Sequence, residues 1–159
     1  MSVAVMLPTY NEAENIESLI REIEDLKLDL TITVIDDSSP DGTANIVKKL
    51  QEKKHDKIHL VSRREKGGLG TAITTGFQYA LHMEKVPDYI IAMDADYSHN
   101  PRDIPRLVDA ARKGYDLVVG SRYTHGGEVV GSSSWRRLIS RFANLVAGVT
   151  VGTRLRDCT

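Results

Sequence analysis

Short apolar runs alternate along the chain with longer segments in which apolar residues recur every three or four positions. The short runs are nearly continuous and rich in β-branched residues, which is typical of strands buried on both faces. The predicted strands are Val3–Leu7, Ile32–Ile35, Ile58–Val61, Tyr89–Met93 and Leu117–Val119.

The longer segments have the apolar spacing of amphipathic helices. They cover residues 16–26, 46–50, 71–82 and 104–111. Strands that alternate with helices predict an α/β domain with a mainly parallel sheet, and right-handed crossovers place helices on both of its faces. No internal repeat or linker interrupts the pattern, so we expect one domain over residues 1–159.

Composition excludes several classes of protein. The chain has 159 residues, a formal net charge of -1 and one cysteine, Cys158. A lone cysteine makes no internal disulfide and favours a reducing compartment, and a near-neutral charge gives no reason to expect nucleic acid as a partner. The first residues lack a basic signal-peptide region, and no apolar run approaches the ~20 residues that span a bilayer.

Polar residues cluster where the predicted strands end. The segments that follow strands one, two, four and five are 8–12, 36–42, 94–99 and 120–123. In open α/β folds ligands bind at the carboxyl ends of the strands. We therefore expect the functional site at that edge of the sheet.

The segment 94–99 carries the clearest metal-binding pattern. Asp94 and Asp96 stand two residues apart where a strand ends, and Ser98 and His99 follow. Mg²⁺ or Mn²⁺ takes one or two such carboxylates and completes its octahedron with water and substrate phosphate. The alternative is that Asp94 caps a turn and Asp96 is solvated.

Two adjacent acids, Asp36 and Asp37, end the second predicted strand. The following Pro40-Asp41-Gly42-Thr43 is typical of a turn, and we expect Asp41 or Thr43 to cap the helix after it. An acid at this place suits a ribose hydroxyl or a base edge, so we predict Asp37 as a ligand residue.

Two further segments bear on anion binding. Lys66-Gly67-Gly68-Leu69-Gly70 precedes a helix and is either a flexible loop or a phosphate-binding loop. Arg122 follows the fifth predicted strand, and its permanently charged guanidinium suits a phosphate or carboxylate of a ligand. The alternative is a structural ion pair with an aspartate.

The last forty residues are basic. From Arg122 onward the chain has six arginines and only two acidic residues, Glu128 and Asp157. Residues 135–149 have apolar positions at helical spacing with arginines opposite, and they begin with a tryptophan. This pattern predicts either a helix lying on anionic headgroups or a core-facing helix with a solvated basic face. The predicted membrane-interface residues are Trp135, Leu138, Phe142 and Leu145.

Taken together, these motifs resemble the family 2 glycosyltransferases with the GT-A (Rossmann-like) fold, and within them the dolichyl-phosphate (polyprenyl-phosphate) mannosyltransferases. The first and fourth motifs, Pro-Thr-Tyr-Asn-Glu and Asp-Ala-Asp, indicate the broad family. Ser-Pro-Asp-Gly-Thr, Asp-Ala-Asp-Tyr-Ser-His and Gly-Ser-Arg-Tyr favour the mannosyl-phospholipid branch. The matching segments are 8–12, 36–43, 66–70, 94–99 and 120–123.

The resemblance implies inverting transfer of mannose from GDP-mannose to a polyprenyl phosphate, with Mg²⁺ or Mn²⁺, at the cytoplasmic face of a membrane. The residues implied to bind the nucleotide sugar are Pro8, Tyr10, Glu12, Ile35, Asp37, Asp94, Ala95, Asp96, Ser98 and Arg122. Those implied nearest the metal are Asp94, Asp96 and Ser98. Asp96 and Arg122 are the implied catalytic residues, with Arg122 on a phosphate.

Other functions stay open at this point. A UDP-sugar is an alternative donor, and a nucleotide-sugar-binding fragment without catalysis is an alternative role. A signalling receiver domain is disfavoured because it needs a lysine where Ser121-Arg122 stands. Family members continue beyond the position of Thr159, so we expect a missing C-terminal part and a membrane-anchoring segment or subunit beyond it.

Overall fold

A computed structural model describes residues 1–64 and 67–121 of the chain. The strands are β1 (Ser2–Thr9), β2 (Asp29–Asp36), β3 (Ile58–Ser62) and β4 (Tyr89–Ala92). The helices are α1 (Ile16–Glu24), α2 (Thr43–Lys53), α3 (Leu69–Leu81) and α4 (Ile104–Ala111), with a 3-10 turn at Pro101–Asp103 before α4.

The four strands form one parallel sheet in the order β3-β2-β1-β4. Strand β1 lies inside the sheet, with Val5 opposite Ile32 of β2 on one side and Ile91 of β4 on the other. The predicted α/β class with a parallel sheet is therefore confirmed.

Helices cover both faces of the sheet because side chains alternate along each strand. Val3, Val5 and Leu7 of β1 share one buried cluster with α1 and α2. Met6 points to the opposite face, where it packs with Ile35 and with residues of α3. Strands with apolar residues on both faces explain the nearly continuous apolar runs in the sequence.

Helix α3 approaches the sheet closely at Gly76. A Cβ added there would lie 2.7 Å from Met6 Sδ and 3.0 Å from Ile35 Cδ1, and both of those side chains are completely buried. A glycine at this position therefore lets the helix backbone rest on the sheet. The amino end of α3 is thereby held near the ends of β2 and β3.

The fifth predicted strand is wrong. Leu117–Val119 belongs to the described residues but forms no strand, and Leu117 is 71% exposed. A strand exists only through a hydrogen-bonded ladder with a neighbour, and three apolar residues in a row indicate burial without specifying such a partner. Helix α3 also begins two residues earlier than predicted, at Leu69, because Gly68 with φ of 85° allows the chain to turn into the helix there.

The chain divides into two compact units, Met1–Val108 and Asp109–Thr159. The first unit contains the whole four-stranded sheet and helices α1 to α3. Of the second unit, residues 109–121 are described. The predicted single domain over residues 1–159 stays a prediction.

Candidate functional site

The strand order creates a crevice at one edge of the sheet. The chain runs from β1 outward through β2 to β3, and then crosses to β4 on the other side of β1. The strand order therefore reverses between β1 and β4, and in open α/β sheets ligands bind at the carboxyl ends of the strands at such a switch point. The segments after β1 and β4 therefore flank the expected site.

A buried carboxylate joins the segments that follow β1 and β2. Asp36 is completely buried and accepts hydrogen bonds from Thr9 Oγ1 at 3.0 Å, Ser39 Oγ at 2.5 Å and Ser39 N at 3.0 Å. Ser39 Oγ in turn accepts from the main-chain N–H of Asn11 at 3.0 Å. Asp36 is thus a structural acid that fixes the two loops beside the crevice.

A second link between these loops comes from the start of α2. Asp41 Oδ1 accepts from Thr43 N at 3.0 Å and from Thr43 Oγ1 at 2.6 Å. The predicted helix cap at Asp41 or Thr43 is wrong, because the left-handed turn before α2 places Gly42, with φ of 94°, at the N-cap position. Asp41 Oδ2 accepts from Ala13 N at 2.9 Å, and Thr43 Oγ1 accepts from Glu12 N at 3.0 Å. The backbone of residues 11–13 is therefore held by the side chains of residues 39–43.

Asp37 forms an ion pair with Arg63, a residue that was not predicted from the sequence. Arg63 Nη2 donates to Asp37 Oδ2 at 2.9 Å, and Arg63 Nε lies 2.6 Å from Asp37 Oδ1 within the same ion pair. Asp37 is 6% exposed. Arg63 Nη1 also donates to Thr71 Oγ1 at 2.9 Å, which links the pair to α3. The sequence feature that could have predicted this pair is an arginine directly after β3, because the neighbouring strand β2 ends in acids.

The other residues implied to bind the nucleoside differ in how far they are exposed. Tyr10 is 39% exposed and Pro8 is half-buried. Glu12 is half-buried, and its carboxylate accepts from Asn15 Nδ2 at 2.9 Å. The side chain of Ile35 belongs to the core between the sheet and α3. Of these four residues, Tyr10 offers the largest exposed surface.

The acidic segment after β4 is ordered by its own side chains. Ser98 N donates to Asp96 Oδ1 at 2.9 Å, and Asp94 N donates to His99 Nδ1 at 3.1 Å. Ala95 is buried, Asp94 is half-buried and Asp96 is exposed. Hydrogen bonds from the hydroxyl and the main-chain N–H of Ser98 lower the pKa of Asp96, so its carboxylate is an anion at neutral pH.

The donor set suits a divalent cation that is shared with a substrate. Asp94, Asp96 and Ser98 are hard oxygen donors. The described part of the chain contains no cluster of three or more His, Cys, Asp or Glu side chains able to enclose an ion. Mg²⁺ and Mn²⁺ accept one or two carboxylates with the remaining positions filled by water and phosphate, so these residues fit such an ion.

Several sequence predictions fall outside the described residues. These are Lys66, Arg122 and the interface segment 135–149 with Trp135, Leu138, Phe142 and Leu145. Within residues 1–64 and 67–121, no helix is long and apolar enough to cross a membrane.

Comparison with known proteins gives the family. The sequence profile of glycosyl transferase family 2 matches residues 4–155. The chain belongs to glycosyl transferase family 2. The parallel sheet with its helices is the GT-A fold of these enzymes, so both the predicted family and the predicted fold are confirmed.

Relatives in this family cover nearly the whole chain. The polyprenol monophosphomannose synthase of Mycolicibacterium smegmatis is 38% identical over 156 residues, which are 98% of this chain and 58% of that protein. The dolichol-phosphate mannosyltransferase of Pyrococcus furiosus is 38% identical over 159 residues, 99% of this chain and 43% of that protein. The family 2 chain thus spans about half the length of these two relatives.

A solved structure supports the same relationship. The mannosyltransferase of Pyrobaculum calidifontis, in complex with GDP-Man and Mn²⁺, is 31% identical to the family 2 chain with a TM-score of 0.52. The match covers 59% of this chain and 27% of that one.

Proposed function

We propose that this family 2 chain carries the donor-binding part of an inverting enzyme that transfers mannose from GDP-mannose to a polyprenyl phosphate, with Mg²⁺ or Mn²⁺. The observation that supports it most directly is 38% identity to a polyprenol monophosphomannose synthase over 98% of the chain. The similarity to a mannosyltransferase in complex with GDP-Man and Mn²⁺ supports the donor and the metal.

In this proposal the nucleoside binds beside the ends of β1 and β2. Tyr10 supplies an exposed ring and Glu12 a half-buried carboxylate. Asp37 binds the ribose or the base, and Arg63 orients its carboxylate through their ion pair. The fixed loops of residues 11–13 and 39–43 favour binding because they need no ordering when the ligand arrives.

The diphosphate binds beside the acidic segment after β4. Asp94 and Asp96 hold the cation there, and Ser98 keeps the Asp96 carboxylate ionised and oriented. When bound, the cation neutralises the charge that develops on the leaving GDP.

The acceptor needs little activation. A phosphate monoester has a second pKa of about 6, so it is largely a dianion at neutral pH and attacks without a general base. The bond from its oxygen to the anomeric carbon forms as the bond to the GDP oxygen breaks, which inverts that carbon. Arg122 steers the acceptor phosphate, and residues 135–149 lie on the membrane at its cytoplasmic face, where the lipid is held.

A thermal-shift experiment on the 159-residue chain tests the donor and the metal. The chain is heated with GDP, GDP-mannose, UDP or UDP-glucose, each with Mn²⁺ and with EDTA. A ligand at about 100 times its Kd stabilises by about 2.7 kcal/mol. For a chain of this size we expect a rise of roughly 5–10 °C with guanine nucleotides and Mn²⁺, lost in EDTA.

Asp96→Ala is the matching variant, with Asp25→Ala at the far end of α1 as control. We expect Asp96→Ala to lose the Mn²⁺-dependent shift while keeping the midpoint of the free chain, and Asp25→Ala to keep both. A shift with uridine nucleotides would instead assign a UDP-sugar donor. Parent-like Mn²⁺-dependent binding by Asp96→Ala would contradict the proposed metal site.

A further inference from the structure

The acidic segment after β4 contains a residue in an unfavourable backbone conformation. Among the described residues, four other than glycine have positive φ, namely Asn11, Lys27, Ser38 and Tyr97. Three of them follow β1, β2 and β4 at the edge of the sheet that carries the candidate site. Tyr97, with φ of 62°, is the bulkiest, and the left-handed region disfavours a bulky side chain.

The side chain of Tyr97 also makes a long-range contact. Its hydroxyl donates to Glu22 Oε1 on α1 at 3.0 Å, between residues 75 positions apart in sequence. Glu22 is half-buried and Tyr97 is 37% exposed. Within the segment, this contact reaches across to α1, whereas the bonds of Asp96 with Ser98 and of Asp94 with His99 stay local.

The contact contributes little to the core. Helix α1 is held on the sheet by Ile16, Leu19, Ile20 and Ile23, all completely buried. The Tyr97 hydroxyl lies in a partly exposed contact outside that cluster. We therefore expect its removal to leave the packing of α1 intact.

We propose that Tyr97 is a positioning residue, which through Glu22 holds the segment 94–99 in the conformation in which Asp96 and Asp94 share a cation with the donor diphosphate. This inference rests on the proposed function. It adds a residue of α1 to the determinants of metal-dependent binding.

Two measurements on the 159-residue chain test it. The first is the Kd of GDP with Mn²⁺ and with EDTA, and the second is hydrogen exchange of the amides in residues 94–99. For Tyr97→Phe we expect faster exchange and an approximately threefold to tenfold weaker Kd with Mn²⁺, as for loss of one hydrogen bond, with GDP binding lost in EDTA for the parent and the variant alike.

Variants of Glu22 separate positioning from a structural effect. Glu22→Gln keeps an acceptor oxygen for the Tyr97 hydroxyl, so it should bind GDP with Mn²⁺ nearly as the parent does. Glu22→Ala should behave like Tyr97→Phe. The double variant should be no weaker than either single one, since both remove the same contact. Glu17→Ala, an exposed acid on the same helix, should leave Mn²⁺-dependent binding unchanged.

The outcomes distinguish this inference from the proposed function. If Tyr97→Phe exchanges and binds like the parent, the inference is overturned and the proposed function stands. If the parent itself shows no Mn²⁺-dependent binding of GDP, the proposed function fails and the role of Tyr97 in metal binding fails with it.

Discussion

Replacing Asp36 with alanine removes a completely buried carboxylate that joins the ends of β1 and β2. Its three donors are Thr9 Oγ1, Ser39 Oγ and Ser39 N, at 2.5 to 3.0 Å. The hydroxyls can rotate, and Thr9 Oγ1 already lies 3.4 Å from the carbonyl oxygen of Ile35. The amide of Ser39 has no such freedom and loses its acceptor.

The expected loss of stability follows from these contacts. Hydrogen bonds to a charged group contribute about 1.5–3 kcal/mol each, which gives an upper bound of about 5–9 kcal/mol for three. Burial of the carboxylate itself costs several kcal/mol, and alanine removes that cost. We therefore expect Asp36→Ala to lower the free energy of unfolding by about 2–4 kcal/mol and the thermal midpoint by roughly 5–15 °C.

Asp36→Asn is the informative companion. With its amide oxygen toward Ser39 N and its NH₂ toward the two hydroxyls, asparagine satisfies the same partners, so we expect a loss below about 1.5 kcal/mol. Urea unfolding followed by circular dichroism measures both variants, with Glu52→Ala on the exposed face of α2 as control. A loss below about 1 kcal/mol for Asp36→Ala, or an equal loss for both variants, would refute this account of the buried network.

Further predictions concern pH, the acceptor and the membrane. Burial lowers the pKa of His59 from its ordinary 6.5, so the folded chain keeps it neutral, and its contribution to stability is complete above pH 6.5 and declines as pH falls below that value. His59→Phe should therefore lose less stability than the parent between pH 7 and 5, as measured by urea unfolding at each pH, and an equal loss would assign that decline to other groups. Arg122→Ala should impair mannosyl transfer more than GDP affinity, in an assay with the complete enzyme, and equal impairment would place Arg122 on the donor. Replacing Leu138, Phe142 and Leu145 with polar residues should weaken binding to liposomes, measured by flotation, and leave the thermal midpoint unchanged. If the variant unfolds instead, the segment 135–149 belongs to the core.

The sequence predicted the class of fold because burial leaves a direct record in residue types. Four short apolar runs became β1 to β4, since strands covered on both faces need apolar side chains at nearly every position. The order of the strands in the sheet leaves no comparable pattern in the sequence. It depends on which pairs of strands form ladders, and the same uncertainty made Leu117–Val119 a wrong prediction.

The sequence also located the candidate site, because polar residues gather where the apolar runs stop. It determined that acids follow β2 and β4, and the motifs they form indicated the family. It predicted Asp37 as a ligand residue, but it could not predict the partner of either Asp36 or Asp37, which are adjacent and chemically identical. The fold decided that: Asp36 is enclosed by Thr9 and Ser39, whereas Asp37 faces Arg63.

Contacts between distant residues were decided by tertiary structure. Arg63 lies 26 positions from Asp37, and Tyr97 lies 75 from Glu22. No local pattern connects residues so far apart, because their proximity is created by the sheet and by the helices packed on it. The kinds of residue at the site were therefore determined by the sequence, and the partner of each was determined by the fold.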